Sequence, residues 1–228
     1  MISANDKNLK NNTALCRAQI VAQEIQEDII KGVLLPHTAL IEVEMVSKYN
    51  ASRNTIREAM HLLEADGLTN YIRNKGVFVR QVNEKDIKEI FQARRIIESQ
   101  AIVLFKEGHN EIIFYMSKDL EIARLAIENQ DWQTVGTMSL RFHQHLVSVI
   151  GNSLINGFFI KILAQLRLVF AIAPNEEKFQ TPWVEEDRRI LSLLKQSRYE
   201  EAYKVLDLYL DISEKNILRM YNSFISTI

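Results

Sequence analysis

The chain has 228 residues, of which 47% are apolar and 25% charged, and its formal net charge is −1. This size allows one or two folded domains, and the near-neutral charge does not by itself mark a nucleic-acid binder. The single cysteine, Cys16, excludes an internal disulfide and a cysteine-based zinc site, and neither a leader nor an apolar run near 18 residues is visible, so we expect a cytoplasmic protein without a membrane span.

The few prolines and glycines, three and seven, favour helices, and the first elements in chain order are helical. Residues 1–13 are polar and rich in asparagine, which predicts a disordered tail. A helix is predicted over residues 15–31, because isoleucines line one side of it and Gly32 is suited to end it.

Residues 42–67 carry the pattern of two helices joined by a tight corner. The predicted helices are Glu42–Tyr49 and a second one that Ser52 caps, with Asn50 in a left-handed corner. The apolar residues of the second helix fall at i, i+3, i+4 and i+7 and form one buried stripe; they are Ile56, Ala59, Met60 and Leu63. Arg53, Asn54 and Arg57 lie off that stripe near the start of the helix, as in a helix that reads the DNA major groove.

A basic hairpin is predicted directly after this unit. Residues 68–71 and 77–80 have the pattern of two short strands, and residues 74–76 form the turn between them. Arg73 and Lys75 lie at its tip. A helix, a corner, a second helix and a basic hairpin together predict a winged helix-turn-helix, although a helical corner with a solvated basic face would show part of this pattern.

The run from residue 20 to residue 80 resembles the winged-helix domain of the GntR family of bacterial transcriptional regulators. The matching residues are Pro36, Leu40, Glu42, Ser52, Arg53, Ile56, Arg57, Glu58, Ala59, Met60, Leu63, Glu64, Gly67, Leu68, Gly76 and Val79. Val43 departs from the pattern, because related regulators often have a phosphate-binding basic residue there. By this resemblance, the residues that face DNA would be Ser52, Arg53, Asn54, Thr55, Arg57, Lys75 and Gly76.

Beyond residue 83 the pattern is helical only. Six helices are predicted, over residues 84–107, 110–130, 132–150, 153–172, 183–196 and 199–221. The fourth is apolar nearly all round and should be central and buried, and Pro182 should begin the fifth. The predicted fold is therefore mostly α, with a winged helix-turn-helix over residues 14–82 and an antiparallel six-helix bundle over residues 83–228.

This bundle resembles the FCD effector domain, the ligand-sensing half of the FadR branch of the family. Two motifs carry the resemblance, and their residues are Arg94, Arg95, Glu98, Phe142, His143, Leu146, Gly151 and Asn152. The second domain is therefore expected to bind a small effector and to form the homodimer.

Polar residues that interrupt apolar helical faces are the candidates for the effector site. Arg94 lies in the middle of an apolar stripe and needs either an acidic partner or an anionic ligand. Ser139 and His143 face inward on their helix, Arg167 lies in the most apolar helix, and Asn152 lies at a helix break. A hydrogen-bonded core histidine and a structural salt bridge are the alternatives for His143 and Arg94.

Many FCD domains resemble one another in a metal site built from an aspartate and three histidines. At the corresponding positions this chain has Ser139, His143, Asp187 and Tyr209, so that only His143 keeps the family residue. Serine and neutral tyrosine are poor ligands for a divalent transition metal. We therefore predict no metal and no other cofactor. We expect Arg94, Arg167 and His143 to hold an anionic effector directly, and Asp187 and Tyr209 to belong to the same effector site.

The sequence favours a DNA-binding transcriptional regulator, with a repressor as the expected type, that binds a palindromic operator and responds to a carboxylate metabolite. A small all-α enzyme with an appended nucleic-acid module is the alternative, with His143 and Asp187 as its acid/base pair. A winged helix used only for protein contacts is the third hypothesis.

Overall fold

The structure is a computed structural model that describes residues 16–105, 108–170 and 176–225. Its elements are α1 (Arg17–Ile30), α2 (Glu42–Tyr49), α3 (Arg53–Ala65), β1 (Thr69–Ile72), β2 (Gly76–Val79), α4 (Glu84–Leu104), α5 (Asn110–Glu128), α6 (Trp132–Ser148), α7 (Ser153–Phe170), α8 (Glu176–Lys195) and α9 (Tyr199–Ile225). The mostly helical fold class with one small hairpin is confirmed. The predicted disordered tail lies outside the described residues.

Local signals explain where the first helices end. Asn50 ends α2 in the left-handed region at φ 46°, and the Ser52 hydroxyl accepts a hydrogen bond from the Thr55 backbone N–H at 3.2 Å. Both predictions are confirmed. The predicted apolar stripe of α3 is buried against α1, so the opposite side of α3 faces outward.

The hairpin pairs β1 with β2 in antiparallel register, with Thr69 opposite Val79 and Ile72 opposite Gly76. Residues 37–40, for which no strand was predicted, add a short third partner to β2 through hydrogen bonds such as Leu40 N–H to the Val77 carbonyl at 2.9 Å. This pairing, which the sequence pattern did not reveal, holds the hairpin against the segment that precedes α2.

The helix α8 corrects the prediction for Pro182. The helix begins at Glu176, so Pro182 lies inside it and does not start it. An interior proline removes one helical hydrogen bond. Burial of the flanking apolar residues Trp183 and Val184 in the helical unit formed by α4 to α9 offsets that loss. Tertiary packing therefore overrides the local signal.

The helix α7 was predicted to be buried throughout, but only its second half is. Leu154 and Phe158 in its first two turns are 82% and 54% exposed. By length and composition alone this helix, with a mean hydropathy of 1.5, is apolar enough to cross a membrane, although Lys161 and Arg167 interrupt its apolar residues. Half of it is buried inside the helical unit, and the core helix of a bundle passes the same test.

The C-terminal end of α3 is joined to α7. The Asp66 carboxylate lies 2.6 Å from Lys161 Nζ, and the Asp66 carbonyl accepts a hydrogen bond from Gln165 Nε2 at 2.8 Å. On the other side, Arg80 donates to the Gly67 carbonyl and pairs with Asp86 at the start of α4. The helix that carries the candidate DNA contacts is thus connected to the helical unit at its far end.

Candidate functional site

The outward side of α3 presents a cationic and amide-bearing surface. Ser52, Arg53, Asn54 and Arg57 are exposed, and Thr55 is half-buried. Arg53 forms no salt bridge with the described residues. The structure thus brings the five predicted DNA-facing residues of this helix together on one accessible face.

Arg57 has an acidic partner that the sequence analysis missed. Its Nε lies 2.6 Å from Glu42 Oε1 at the start of α2, and the Arg57 side chain is still 61% exposed. The hydrogen bond from Arg57 holds the pKa of the Glu42 carboxyl below its ordinary value. The two residues are 15 positions apart, and no spacing rule links them.

The hairpin lies beside α3 and has an exposed basic tip. Glu64 accepts a hydrogen bond from the Tyr71 backbone N–H at 3.2 Å, which ties β1 to α3. Lys75 is exposed at the tip, and Gly76 has a φ of 102°, a conformation that side chains disfavour. Lys75 and Gly76 therefore lie at the exposed tip of a hairpin whose first strand is tied to the C-terminal end of α3.

A buried cluster of ionisable side chains lies inside the helical unit. Glu98 is at its centre, with Oε1 2.6 Å from Arg94 Nε and Oε2 2.6 Å from His143 Nδ1. The other His143 nitrogen, Nε2, lies 3.1 Å from both Asp187 Oδ1 and the Tyr209 hydroxyl. The second Asp187 oxygen accepts a hydrogen bond from Ser139 Oγ at 2.7 Å.

The four charged side chains of this cluster, Arg94, His143, Glu98 and Asp187, neutralise one another. Burial alone would lower the pKa of His143, but the carboxylates of Glu98 and Asp187 outweigh it and raise that pKa to about 9. Burial would likewise raise the pKa of Glu98, but Arg94 and His143 outweigh it and the pKa lies below its ordinary value. His143 is therefore an imidazolium between two carboxylates at neutral pH.

Stability should consequently fall as the pH rises above neutrality. The folded protein binds the His143 proton more tightly than the unfolded chain, whose histidine has a pKa near 6.5. This contribution is fully present below about pH 6.5 and is lost as the pH rises through about 9. Urea denaturation at several pH values across this range measures it. If the urea midpoints of the wild-type protein and of His143→Gln were both independent of pH, the assignment of a positive charge to His143 would be contradicted.

The cavity beside this cluster is small. It measures about 10 Å³, roughly the room for one water molecule, and its lining includes Arg94, Ser139, His143, Tyr209 and Ser213. Arg94 Nη2 and Ser213 Oγ have no hydrogen-bond partner among the described residues, although both are buried. Arg94 Nη2 and Ser213 Oγ are thus available to bind a ligand, but the cavity beside them is small.

Two predicted effector residues lie elsewhere. Arg167 is buried on α7, with its guanidinium against Gly32 and Gly136 and not in the cavity of Arg94; a Cβ atom at Gly136 would lie 2.6 Å from Arg167 Nη1. Asn152 is exposed, and its side-chain oxygen accepts from the backbone N–H groups of Leu154 and Ile155 at the start of α7. The expectation that these two residues join Arg94 and His143 in one cavity is therefore wrong, because periodicity gives the face of a helix but not its neighbour.

The residues present do not fit the metal that the fold resemblance implies. Both nitrogens of His143 are engaged, Ser139 donates a hydrogen bond to Asp187, and Tyr209 is a neutral phenol whose pKa burial raises further. No group of three or more His, Cys, Asp or Glu side chains suited to a metal ion occurs within residues 16–105, 108–170 and 176–225. The Arg94 guanidinium adds positive charge at this place, which opposes a cation.

The sequence analysis left two residues out of the candidate site: Glu98 at the centre of the cluster and Ser213 in the lining of the adjacent cavity. A signal for Glu98 existed, because Arg94 and Glu98 are four apart and share a helical face. The salt bridge that was the alternative for Arg94 is therefore present. No sequence signal distinguished Ser213 from other serines.

Comparisons with known proteins agree with this architecture. Residues 17–79 match the gntR family of bacterial regulatory proteins, and residues 89–211 match the FCD domain. The HTH-type transcriptional regulator YdhC of Bacillus subtilis is 26% identical over 78% of this chain and 81% of its own length. The gluconate operon transcriptional repressor of Bacillus licheniformis is 29% identical over 59% of this chain, which spans 56% of that protein.

Solved structures show the same fold. A GntR transcriptional regulator from Rhodococcus sp. RHA1 superposes with a TM-score of 0.80 at 29% identity, over 89% of this chain and 97% of that one. McbR/YncC of E. coli superposes with a TM-score of 0.77 at 16% identity, over 92% and 100% of the two chains. These families and relatives are transcriptional regulators and not enzymes. The chain therefore belongs to the FCD-domain family, with a gntR-type match over residues 17–79, and is a DNA-binding transcriptional regulator with an FCD effector-binding domain.

Proposed function

We propose that the protein is a homodimeric, cytoplasmic repressor of the FadR branch that binds a palindromic operator and releases it in response to a small carboxylate. The observation that carries the DNA-binding part is the exposed cationic face of α3 beside the basic hairpin tip. In this proposal residues 14–82 bind DNA, and residues 83–228 bind the effector and form the dimer.

The DNA contacts are assigned to Ser52, Arg53, Asn54, Thr55 and Arg57 in the major groove. Lys75 and Gly76 at the hairpin tip reach the backbone or the minor groove. Guanidinium groups recognise guanine and carboxamides recognise adenine, so these residue types supply base readout. Two such units on a two-fold axis require half-sites about one helical turn apart. Repression is proposed because relatives include the gluconate operon repressors.

The effector site is assigned to the cavity of the buried cluster. The unpartnered Arg94 Nη2 and Ser213 Oγ are donors suited to a carboxylate, and Ser139, His143, Asp187 and Tyr209 complete the polar lining. A cavity of about 10 Å³ has no room for a metabolite, so binding must move lining side chains. Closed and open arrangements of the cluster are the two states that an effector would shift.

Gel shifts with the DNA upstream of the protein's own gene test this proposal. We expect a shifted band that a carboxylate from a panel of small mono- and dicarboxylates weakens. Ser213→Ala removes an unpartnered hydroxyl and should weaken the response to that carboxylate without lowering stability, whereas Ser148→Ala, away from the cavity, should not. Failure of the wild-type protein to prefer any DNA sequence would refute the repressor assignment, and an unchanged Ser213→Ala response would refute the effector site.

The purified protein should carry no stoichiometric transition metal. The Arg94 charge and the engaged His143 nitrogens leave no set of free ligands among the described residues, so we expect elemental analysis to find far less than one zinc, nickel or manganese ion per chain. Thermal melting with and without a chelator should give the same midpoint. One metal ion per chain, lost with His143→Gln, would contradict this prediction.

A further inference from the structure

We propose that Glu42 is a positioning residue for DNA recognition, which directs Arg57 towards base edges and lowers its use as a phosphate contact. The inference rests on the DNA-contact role proposed above for Arg57. It assigns a function to an acidic residue on a surface that approaches a polyanion, where a carboxylate would otherwise only weaken binding.

The geometry leaves the recognition end of Arg57 available. Glu42 takes the Nε–H at 2.6 Å, and the two terminal nitrogens have no hydrogen-bond partner among the described residues. These terminal N–H groups are the fork that pairs with the O6 and N7 acceptors of guanine. The hydrogen bond to Glu42 therefore fixes the Arg57 side chain and leaves its two terminal nitrogens available to a base.

The location of Glu42 keeps this contact in place. Glu42 is the first residue of α2, where the partial positive charge of a helix N-terminus stabilises a carboxylate. Its side chain is only about one-third exposed, and its partner comes from α3, so the pair also links the two helices of the DNA-binding unit. Arg53 on the same face has no such partner within the part of the chain that the structure describes.

The expected consequence is discrimination between sequences. A paired guanidinium brings little net charge to random DNA, and the Glu42 carboxylate repels nearby phosphates. At the correct base pair the fork gains two hydrogen bonds that need no reorganisation of the side chain. Glu42 thereby weakens binding to random DNA and also strengthens the contact of Arg57 with the correct base pair.

The matched pair Glu42→Gln and Glu44→Gln tests the inference. Both substitutions remove one negative charge from the first turn of α2, but Glu44 is exposed and pairs with no described residue. Duplexes selected by the wild-type dimer from a randomised pool, together with scrambled versions, are the probes. Binding is measured between about 50 and 200 mM salt, the range over which phosphate contacts change affinity strongly.

For Glu42→Gln we expect the dependence of log K on log salt with scrambled DNA to steepen by about 0.9, the value for one added phosphate contact. The ratio of selected to scrambled affinity should fall by roughly tenfold, the usual effect of weakening one base contact. Glu44→Gln should change the ratio of selected to scrambled affinity by less than about twofold, which is close to the error of the measurement. In an Arg57→Ala background the two substitutions should become indistinguishable.

Equal slopes and equal ratios for the two substitutions would overturn the role of Glu42, as would a difference between them that persists without Arg57. Neither result would contradict the proposed function, because the wild-type protein would still have selected a specific DNA sequence from the randomised pool. A wild-type protein that selects no sequence would instead remove the proposed function itself.

Discussion

Glu98→Gln is expected to lower the free energy of unfolding by about 3–5 kcal/mol, the usual cost of removing one partner from a buried ion pair. Each Glu98 oxygen lies 2.6 Å from a cationic side chain, Arg94 or His143. Glutamine keeps the shape but not the charge, so Arg94 would lose its carboxylate partner and His143 would keep only that of Asp187. Urea denaturation at pH 7, followed by circular dichroism, measures the change.

Glu89→Gln is the matched control for this substitution. Glu89 lies on the same helix, but it is exposed and pairs with Lys85 at 3.6 Å. Exposed pairs contribute at most about 1 kcal/mol, so the control should change stability little. A similar small loss for Glu98→Gln would mean that the cluster does not depend on the charge of Glu98.

Arg53→Ala is expected to weaken binding to the selected operator by about 1–3 kcal/mol, the range for a side chain that reads a base. Arg53 is the first residue of α3, exposed and without a salt bridge to a described residue, so its loss should leave folding unchanged. Binding to a scrambled duplex should weaken far less. Fluorescence anisotropy with both duplexes at one fixed salt concentration measures the two affinities.

Arg189→Ala serves as the control for the lost charge, because Arg189 is an exposed arginine of the helical unit. It should change neither affinity. An equal loss on both duplexes for Arg53→Ala would make Arg53 a phosphate contact, and the base-reading role would then fall to Asn54 and Arg57.

Sequence reasoning succeeded where structure depends on neighbours along the chain. Asn50, Ser52 and Gly76 each carry a local backbone preference, and each lies where that preference predicted it. The apolar period of α3 likewise fixed which of its sides is buried. These signals were enough to predict the helix-turn-helix and its hairpin.

The remainder depends on contacts between distant segments. Pro182 lies inside a helix because burial of its neighbours outweighs a local rule, and Arg167 faces a different cavity from Arg94. The pairing of Arg57 with Glu42 and the small volume beside His143 follow from how helices approach one another. No period or spacing in a single sequence contains that distance information.

The helix α7 contacts both the cavity of the buried cluster and the C-terminal end of α3. Its last turns, with Leu166 and Phe170, line the cavity of the buried cluster, and its middle turns hold Asp66 at the end of α3. Because α7 contacts both regions, a shift of this helix at one region would also displace side chains at the other. Operator occupancy must therefore alter metabolite affinity by the same factor that the metabolite alters operator affinity, and titrating one ligand in the presence of the other would reveal a single coupling constant.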